Sequence, residues 1–402
     1  MKEKKPLSKP MLIAVTLSIS LLLTGVSSPS LVMAYVYDTF PNISTKLIPF
    51  LLTLPLIIEI PSSIIGGIVA TKMKKRNYLA IACALFIIGG IGPRFVNNFY
   101  VMLGMRAILG VGVGMALPMA TGLIPLFFPD EKEQAKVFGY QATFVNIGGM
   151  IMSMVGGIVA ATYWKNIFFV YLTDAIVAII VLWKLPEPVI RPAAAQTGAP
   201  AEKAKFKITP VVCLVFAAAL IKGIIAYVLF THMSLLIINE GIGDTITAGT
   251  AQTCIMLGGM LIGLVFGVIF NKIKSHMIWV CTALMAICYF ALGAATSAIV
   301  LFVACFFHGV SSNIQNSTLS KYASSVVDRE FIPIMTGTSM SLNFGGQFLS
   351  SLVLGGLAGL VGMTATRDYF TLGGIVCAVI SAISLVAVLY VRAKSRGKAA
   401  VE

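Results

Sequence analysis

The chain has 402 residues, of which 58% are hydrophobic and only 11% charged, and its mean hydropathy is +0.95. That composition lies outside the range of water-soluble globules and makes a lipid bilayer the solvent of the folded surface. The formal charge of +14 invites a nucleic-acid reading, but the basic residues sit in short connections between apolar runs, which excludes that partner.

A bilayer core of about 30 Å takes roughly 20 helical residues to cross. In chain order the apolar runs cover 11–35, 47–70, 78–96, 100–126, 137–161 and 164–184, then 209–237, 248–271, 277–296, 298–321, 333–361 and 369–391. Apolar side chains surround each run and do not alternate, so twelve helices are expected and barrel strands are not. The first run follows a basic start, as a secretory signal would. It continues past Thr24 to Tyr35 with no clear small-residue cleavage site, and reads as a retained helix.

Most of the 29 basic residues fall in alternate connections: 2–9, 72–76, 132–136, 184–207, 272–274, 321–329 and 392–398. The positive-inside rule then puts both termini in the cytoplasm. Between the sixth and seventh runs, residues 185–208 are rich in Pro, Ala and charge. They read as a cytoplasmic linker between an N-terminal six-helix bundle, 1–184, and a C-terminal one, 209–402.

The halves resemble each other. Gly67 to Lys74 after the second helix matches Gly267 to Lys274 after the eighth, offset by 200. Asn146, Gly148, Gly149 and Ser153 in the fifth match Asn343, Gly345, Gly346 and Ser350 in the eleventh, offset by 197. Duplicated membrane halves place the working site near the midplane where they meet.

Four charges lie inside apolar runs: Glu59, Arg106, Asp174 and Lys222. Each costs about 2.5–3.5 kcal/mol at a helix centre on insertion scales, so each needs a partner or a water-filled cavity. Glu59 is the proton-carrier candidate, or else one half of a permanent pair with Arg106 or Lys222. Lys222, thirteen residues into the seventh helix, either attracts an anion or holds Glu59 ionised. Polar side chains also recur at helical spacing: Asn146, Gly149, Ser153 and Gly157 in the fifth helix, His308, Ser311, Ser312 and Gln315 in the tenth, and Thr336, Ser339, Asn343, Gly346, Gln347 and Ser350 in the eleventh. Such faces either line a cavity or join helix to helix. His308 alone reads more readily as a core histidine than as a proton relay.

Three local patterns resemble the major facilitator superfamily, over essentially the whole chain. Gly67-Ile-Val-Ala-Thr71-Lys72-Met-Lys74-Lys75-Arg76 is similar to the family's Gly-x-Leu-Ala-Asp-Arg-x-Gly-Arg-Arg loop, with Thr71 in place of the Asp and Lys74 in place of a Gly. Arg106-Ala-Ile-Leu-Gly110 resembles its Arg-x-x-x-Gly element, and Trp164-Lys-Asn-Ile-Phe168 its Trp-Arg-x-x-Phe. In the fifth helix Gly148, Gly156 and Gly157 fit the antiporter glycine element, whose central Gly-Pro is replaced by Met152 and Ser153.

The resemblance implies an all-α integral membrane fold of two pseudo-symmetric six-helix bundles, and proton-coupled transport of a small organic molecule by alternating access. Drug or metabolite efflux is the first expectation, and uptake or exchange of an organic anion the alternative. Loss of Asp at Thr71 leaves room for a transporter-like sensor that no longer cycles. It also implies that Arg106 faces the cavity or anchors the first helix, that Asp174 is a helix contact, that Gly67, Lys72 and Arg76 form a gating loop, and that the protein works as a monomer in the plasma membrane.

No enzyme is expected. Gly110, Gly112 and Gly114 lie inside a membrane helix with no preceding strand, so they are not a dinucleotide loop. A Walker loop, a His/Cys metal set and a nucleophile–base arrangement are not found either, so neither cofactor nor metal is expected. The seven cysteines lie in or beside apolar runs without metal-ligand spacing and read as packing residues.

Overall fold

The computed structural model describes residues 8–23, 26–128, 130–187, 209–273, 276–327, 332–363 and 365–399. Its regular structure among these is helical throughout. Ten helices are long and apolar enough to cross a membrane, and two shorter apolar helical segments, Lys9–Leu22 and Met277–Gly293, accompany them. The chain is an all-α membrane protein with the expected succession of spans.

It divides into two compact units. The first comprises Met1–Pro29, Phe50–Met152 and Thr162–Thr209, and the second Ser30–Pro49, Ser153–Ala161 and Pro210–Glu402. In the first lie α1 (Lys9–Ser18), α3 (Phe50–Lys72), α4 (Lys75–Ile91), α5 (Phe99–Phe127), most of α6 (Glu131–Thr162) and α7 (Thr173–Lys184). The second holds α2 (Met33–Thr39), α8 (Pro210–Ala226), α9 (Val228–Asn239), α10 (Thr245–Ile273), α11 (Met277–Gly293), α12 (Ala298–Ser325), α13 (Ile332–Val361) and α14 (Thr366–Ala399).

Three runs are less regular than hydropathy suggests. The first is α1, two 3-10 segments at Ile19–Leu23 and Ser28–Val32, and then α2. Pro29 has no N–H to give and disfavours helical geometry at Ser28, so the α-helix cannot pass through. The sixth starts as a 3-10 helix over Trp164–Leu172 before α7, and the seventh is interrupted at Tyr227 between α8 and α9.

Helix ends carry their own stop and start signals. Asn98 caps α5 by accepting from the amides of Tyr100 and Val101, and Asp130 caps α6 by accepting from that of Glu133. Gly241 (φ 66°) and Gly362 (φ 74°) close α9 and α13 in the left-handed conformation. In both, the amide of the residue after that glycine returns to a carbonyl of the helix's last turn, Ile242 to Ile237 at 2.9 Å and Met363 to Ala358 at 2.8 Å.

Close helix contacts are made at glycine. A Cβ on Gly110 would lie 2.8 Å from the Pro55 oxygen and one on Gly114 2.7 Å from the Glu59 oxygen, which presses α5 onto α3. Gly112 faces the other way, where a Cβ would lie 2.9 Å from the Ala82 oxygen of α4. One glycine run therefore seats α5 against two neighbours at once.

Candidate functional site

Within the first unit the central charged residue is Arg106, which has no exposed surface. Each of its three nitrogens is already engaged. Nε donates to the Leu51 carbonyl at 2.8 Å, one terminal nitrogen to the Val26 carbonyl at 2.6 Å, and the other to the Tyr171 hydroxyl at 2.7 Å. Both carbonyls are backbone orphans. Pro55, four residues after Leu51 in α3, has no N–H with which to close that helical bond. Val26 lies in the break between the two 3-10 segments of the first span. A buried carbonyl without a donor is costly in a lipid-facing protein, and the rigid guanidinium supplies two such carbonyls at once.

Glu59 lies one turn after Pro55 on α3 and is 4% exposed. Among the described residues its carboxyl forms neither a hydrogen bond nor an ion pair. The ion pairs found there are Lys9–Glu133 at 3.2 Å and Glu240–Arg367 at 2.9 Å, so Glu59 has no cation partner of that kind. Asn146 is half-buried on α6 and already engaged. Asp174 sits at the start of α7, and its side chain lies outside the described residues.

In the second unit Lys222 projects from α8, and its Nζ donates to the Asn316 Oδ1 of α12. Lys222 also lines a cavity of about 420 Å³ bounded by α8, α11, α12 and α14, together with Gln315, Thr282, Thr318 and Tyr322. His308 is buried, with Nε2 3.4 Å from the Tyr289 hydroxyl and Nδ1 without a partner among the described residues. Tyr289 in turn donates to the Ile225 carbonyl at 2.6 Å. Gln315 donates to Ser311 at 3.4 Å, and Ser311 to the Cys281 carbonyl at 2.7 Å.

The polar stripe of α13 lies against α8. Asn343 Nδ2 donates to the Ala219 carbonyl at 3.2 Å, Gln347 to Asn343 Oδ1 at 2.8 Å, and Ser350 to the Ile224 carbonyl at 2.7 Å. Gly223 and Gly346 allow this approach, since a Cβ on either would run into the other helix's backbone, at Asn343 and Leu220 respectively. Asn343 and Gln347 thus occupy a helix-to-helix seam, while Lys222 and Gln315 face open space on another side of α8 and α12.

At the loop after α3, Gly67 has open space where a Cβ would stand, Lys72 is exposed and Arg76 half-buried. The residue that organises the turn is Lys75, whose Nζ donates to the Ala70 carbonyl and whose amide donates to the Glu187 carboxylate at 2.6 Å. A carboxylate there also opposes the positive end of α4. The Trp164 segment has a similar fastening role: Lys165 donates to the Val96 carbonyl at 2.9 Å and to Asn97 at 2.6 Å, and Arg94 to Asn166 at 2.9 Å.

Sequence reasoning missed Tyr171 and Gln141 as partners. Gln141 donates to Ser20 at 2.9 Å and to the Ala120 carbonyl at 3.0 Å, tying α6 to α5 and to the first span. An amide or a tyrosine in an otherwise apolar run is the signal that could have found them.

Residues 13–350 match the family model described as Major Facilitator Superfamily. Quinolone resistance protein NorA of Staphylococcus aureus is 32% identical over 104 residues, 26% of each chain. The methylenomycin A resistance protein of Bacillus subtilis (strain 168) is 22% identical over 121 residues, 30% of this chain and 26% of that protein. The matched stretch thus spans about a quarter of the length of these curated relatives. Among solved structures, the nucleoside transporter NupG superposes with a TM-score of 0.74 at 14% identity, covering 94% of this chain and 98% of that one, which is a likeness of fold.

Proposed function

The chain belongs to the Major Facilitator Superfamily, and from that premise we propose that it is a secondary active, proton-coupled transporter that exports a small organic molecule by alternating access. The observation that carries this reading is Glu59, a carboxyl 4% exposed with no described hydrogen-bond or ion-pair partner, in the same unit as an arginine whose donors are committed to backbone. A carboxyl held by a permanent cation could not exchange its proton in each cycle. Glu59 takes one when water reaches it from one face and yields it when water reaches it from the other. One charge crossing the field gains about 2.3 kcal/mol per 100 mV, enough to support a useful concentration ratio.

The resistance proteins among the relatives support efflux and make a quinolone the first probe. The placement of basic residues supports cytoplasmic termini and a plasma-membrane location, and two six-helix halves, 1–184 and 209–402, joined by 185–208, are the moving bodies. In proteoliposomes with an imposed pH gradient, norfloxacin should accumulate and the gradient should dissipate with it. Glu59→Gln should lower gradient-driven accumulation at least tenfold while leaving counterflow exchange. Unchanged accumulation by that variant would refute the carrier role, and binding without counterflow in the wild type would identify a sensor. A second reading, uptake or exchange of an organic anion, is favoured by Lys222, which has no carboxylate partner among the described residues.

A further inference from the structure

The cavity beside Lys222 lies wholly within the second unit and is lined by α8, α11, α12 and α14. Its lining is dominated by aliphatic and small residues. Leu214 and Ile221 of α8, Ile278 of α11 and Ile383 of α14 are among the lining residues and are also exposed, between 42% and 69%. In a membrane-spanning unit, an exposed rim made of such residues opens onto lipid and not onto water. The volume, about 420 Å³, falls in the lower part of the ~300–1,000 Å³ range of small-molecule pockets. It suits one chain better than the two of a phospholipid.

Two independent observations set the chemistry of the occupant. Among the described residues Lys222 is the only charged side chain that lines the cavity, and its described partner, the Asn316 amide, is neutral. A cation in apolar surroundings with no carboxylate beside it calls for an anion. Thr318, 3% exposed and also lining the cavity, has a hydroxyl with no hydrogen-bond partner among the described residues. An ammonium with donors to spare and an orphaned hydroxyl together match an acceptor-only head group, which is what a carboxylate is.

We propose that this lateral crevice is a binding site for a single-chain lipophilic carboxylate that enters from the bilayer, its head group held at Lys222 and its chain lying along α8, α11 and α14. The proposal goes beyond the transport reading and does not rest on it, because binding at equilibrium needs neither a gradient nor Glu59.

The test uses the full chain in nanodiscs of zwitterionic phosphatidylcholine, with 11-(dansylamino)undecanoate as fluorescent probe and its methyl ester as the uncharged twin. The carboxylate should bind saturably and at least tenfold more tightly than the ester. Lys222→Gln should abolish that preference, Lys222→Arg should keep it within about threefold, and Ala218→Trp, at an exposed lining position, should block the probe by filling the crevice. Equal binding of acid and ester would overturn the proposal and show a merely apolar slot. Absence of saturable binding to folded wild type, with phospholipid chains filling the space, would overturn it too. Should Lys222→Gln fail to fold, the acid-to-ester ratio on the wild type and the Ala218→Trp variant still decide.

Discussion

Arg106 in one compact unit and Lys222 in the other are basic side chains in the body of a membrane helix, and the two are handled in opposite ways. Each of the three nitrogens of Arg106 meets a protein oxygen, two of them backbone carbonyls where α3 and the first span lose helical bonds. Lys222 has one amide and an adjoining cavity. A planar fork with five donors suits the repair of several fixed acceptors, whereas a compact ammonium on a flexible stem suits a site whose partner comes and goes. The same formal charge is therefore structural in one unit and open to chemistry in the other.

The comparison breaks if Arg106 proves dispensable. Arg106→Ala strands two carbonyls and the Tyr171 hydroxyl, at about 1–3 kcal/mol for each buried group, and should give the largest loss of thermal stability in detergent. Lys222→Gln should cost far less. Equal losses from the two would erase the distinction.

Next in size is Gly346→Val, which forces α13 off the Leu220 carbonyl of α8; overpacking of this kind costs about 1–3 kcal/mol. It should lower the melting temperature while leaving the first unit's amide exchange unchanged, as hydrogen exchange by mass spectrometry would report. Tyr171→Phe removes one acceptor from Arg106 and should cost about 1 kcal/mol. At the bottom, Arg367→Ala breaks a part-exposed ion pair with Glu240, a class worth about 0–1 kcal/mol. A larger effect there would point to its second bond, to the Gly293 carbonyl, as the one that matters.

The spans were legible because twenty consecutive apolar residues leave no other option in a bilayer. What hydropathy averages away is the interruption inside a span. Pro29 and Pro55 are single residues in long apolar runs, yet they create the acceptors that decide where Arg106 goes. The sequence could place Arg106 at membrane depth and offer a cavity or an anchoring role; only the fold brings Val26, Leu51 and Tyr171 to its three nitrogens. For the eleventh-span stripe, spacing put Asn343 and Gln347 on one face but could not say what that face meets, since lining and joining require the same residues. Lys222 stood out as a charge in an apolar run, but Gln315 carried no stronger signal than Asn343. Their neighbour in space is a crevice assembled from four helices, which no local pattern encodes.

Pro55 also inverts the usual account of proline in a helix. Its gap serves as a socket that another helix plugs, so the flaw in α3 and the charge on α5 form one device. Replacing Pro55 with alanine would mend the helix and, by the same stroke, set a new amide against Arg106 Nε for the Leu51 carbonyl. The cation would then hold by Val26 and Tyr171 alone, and a repair judged favourable by helix propensity would loosen the tie between α3 and α5.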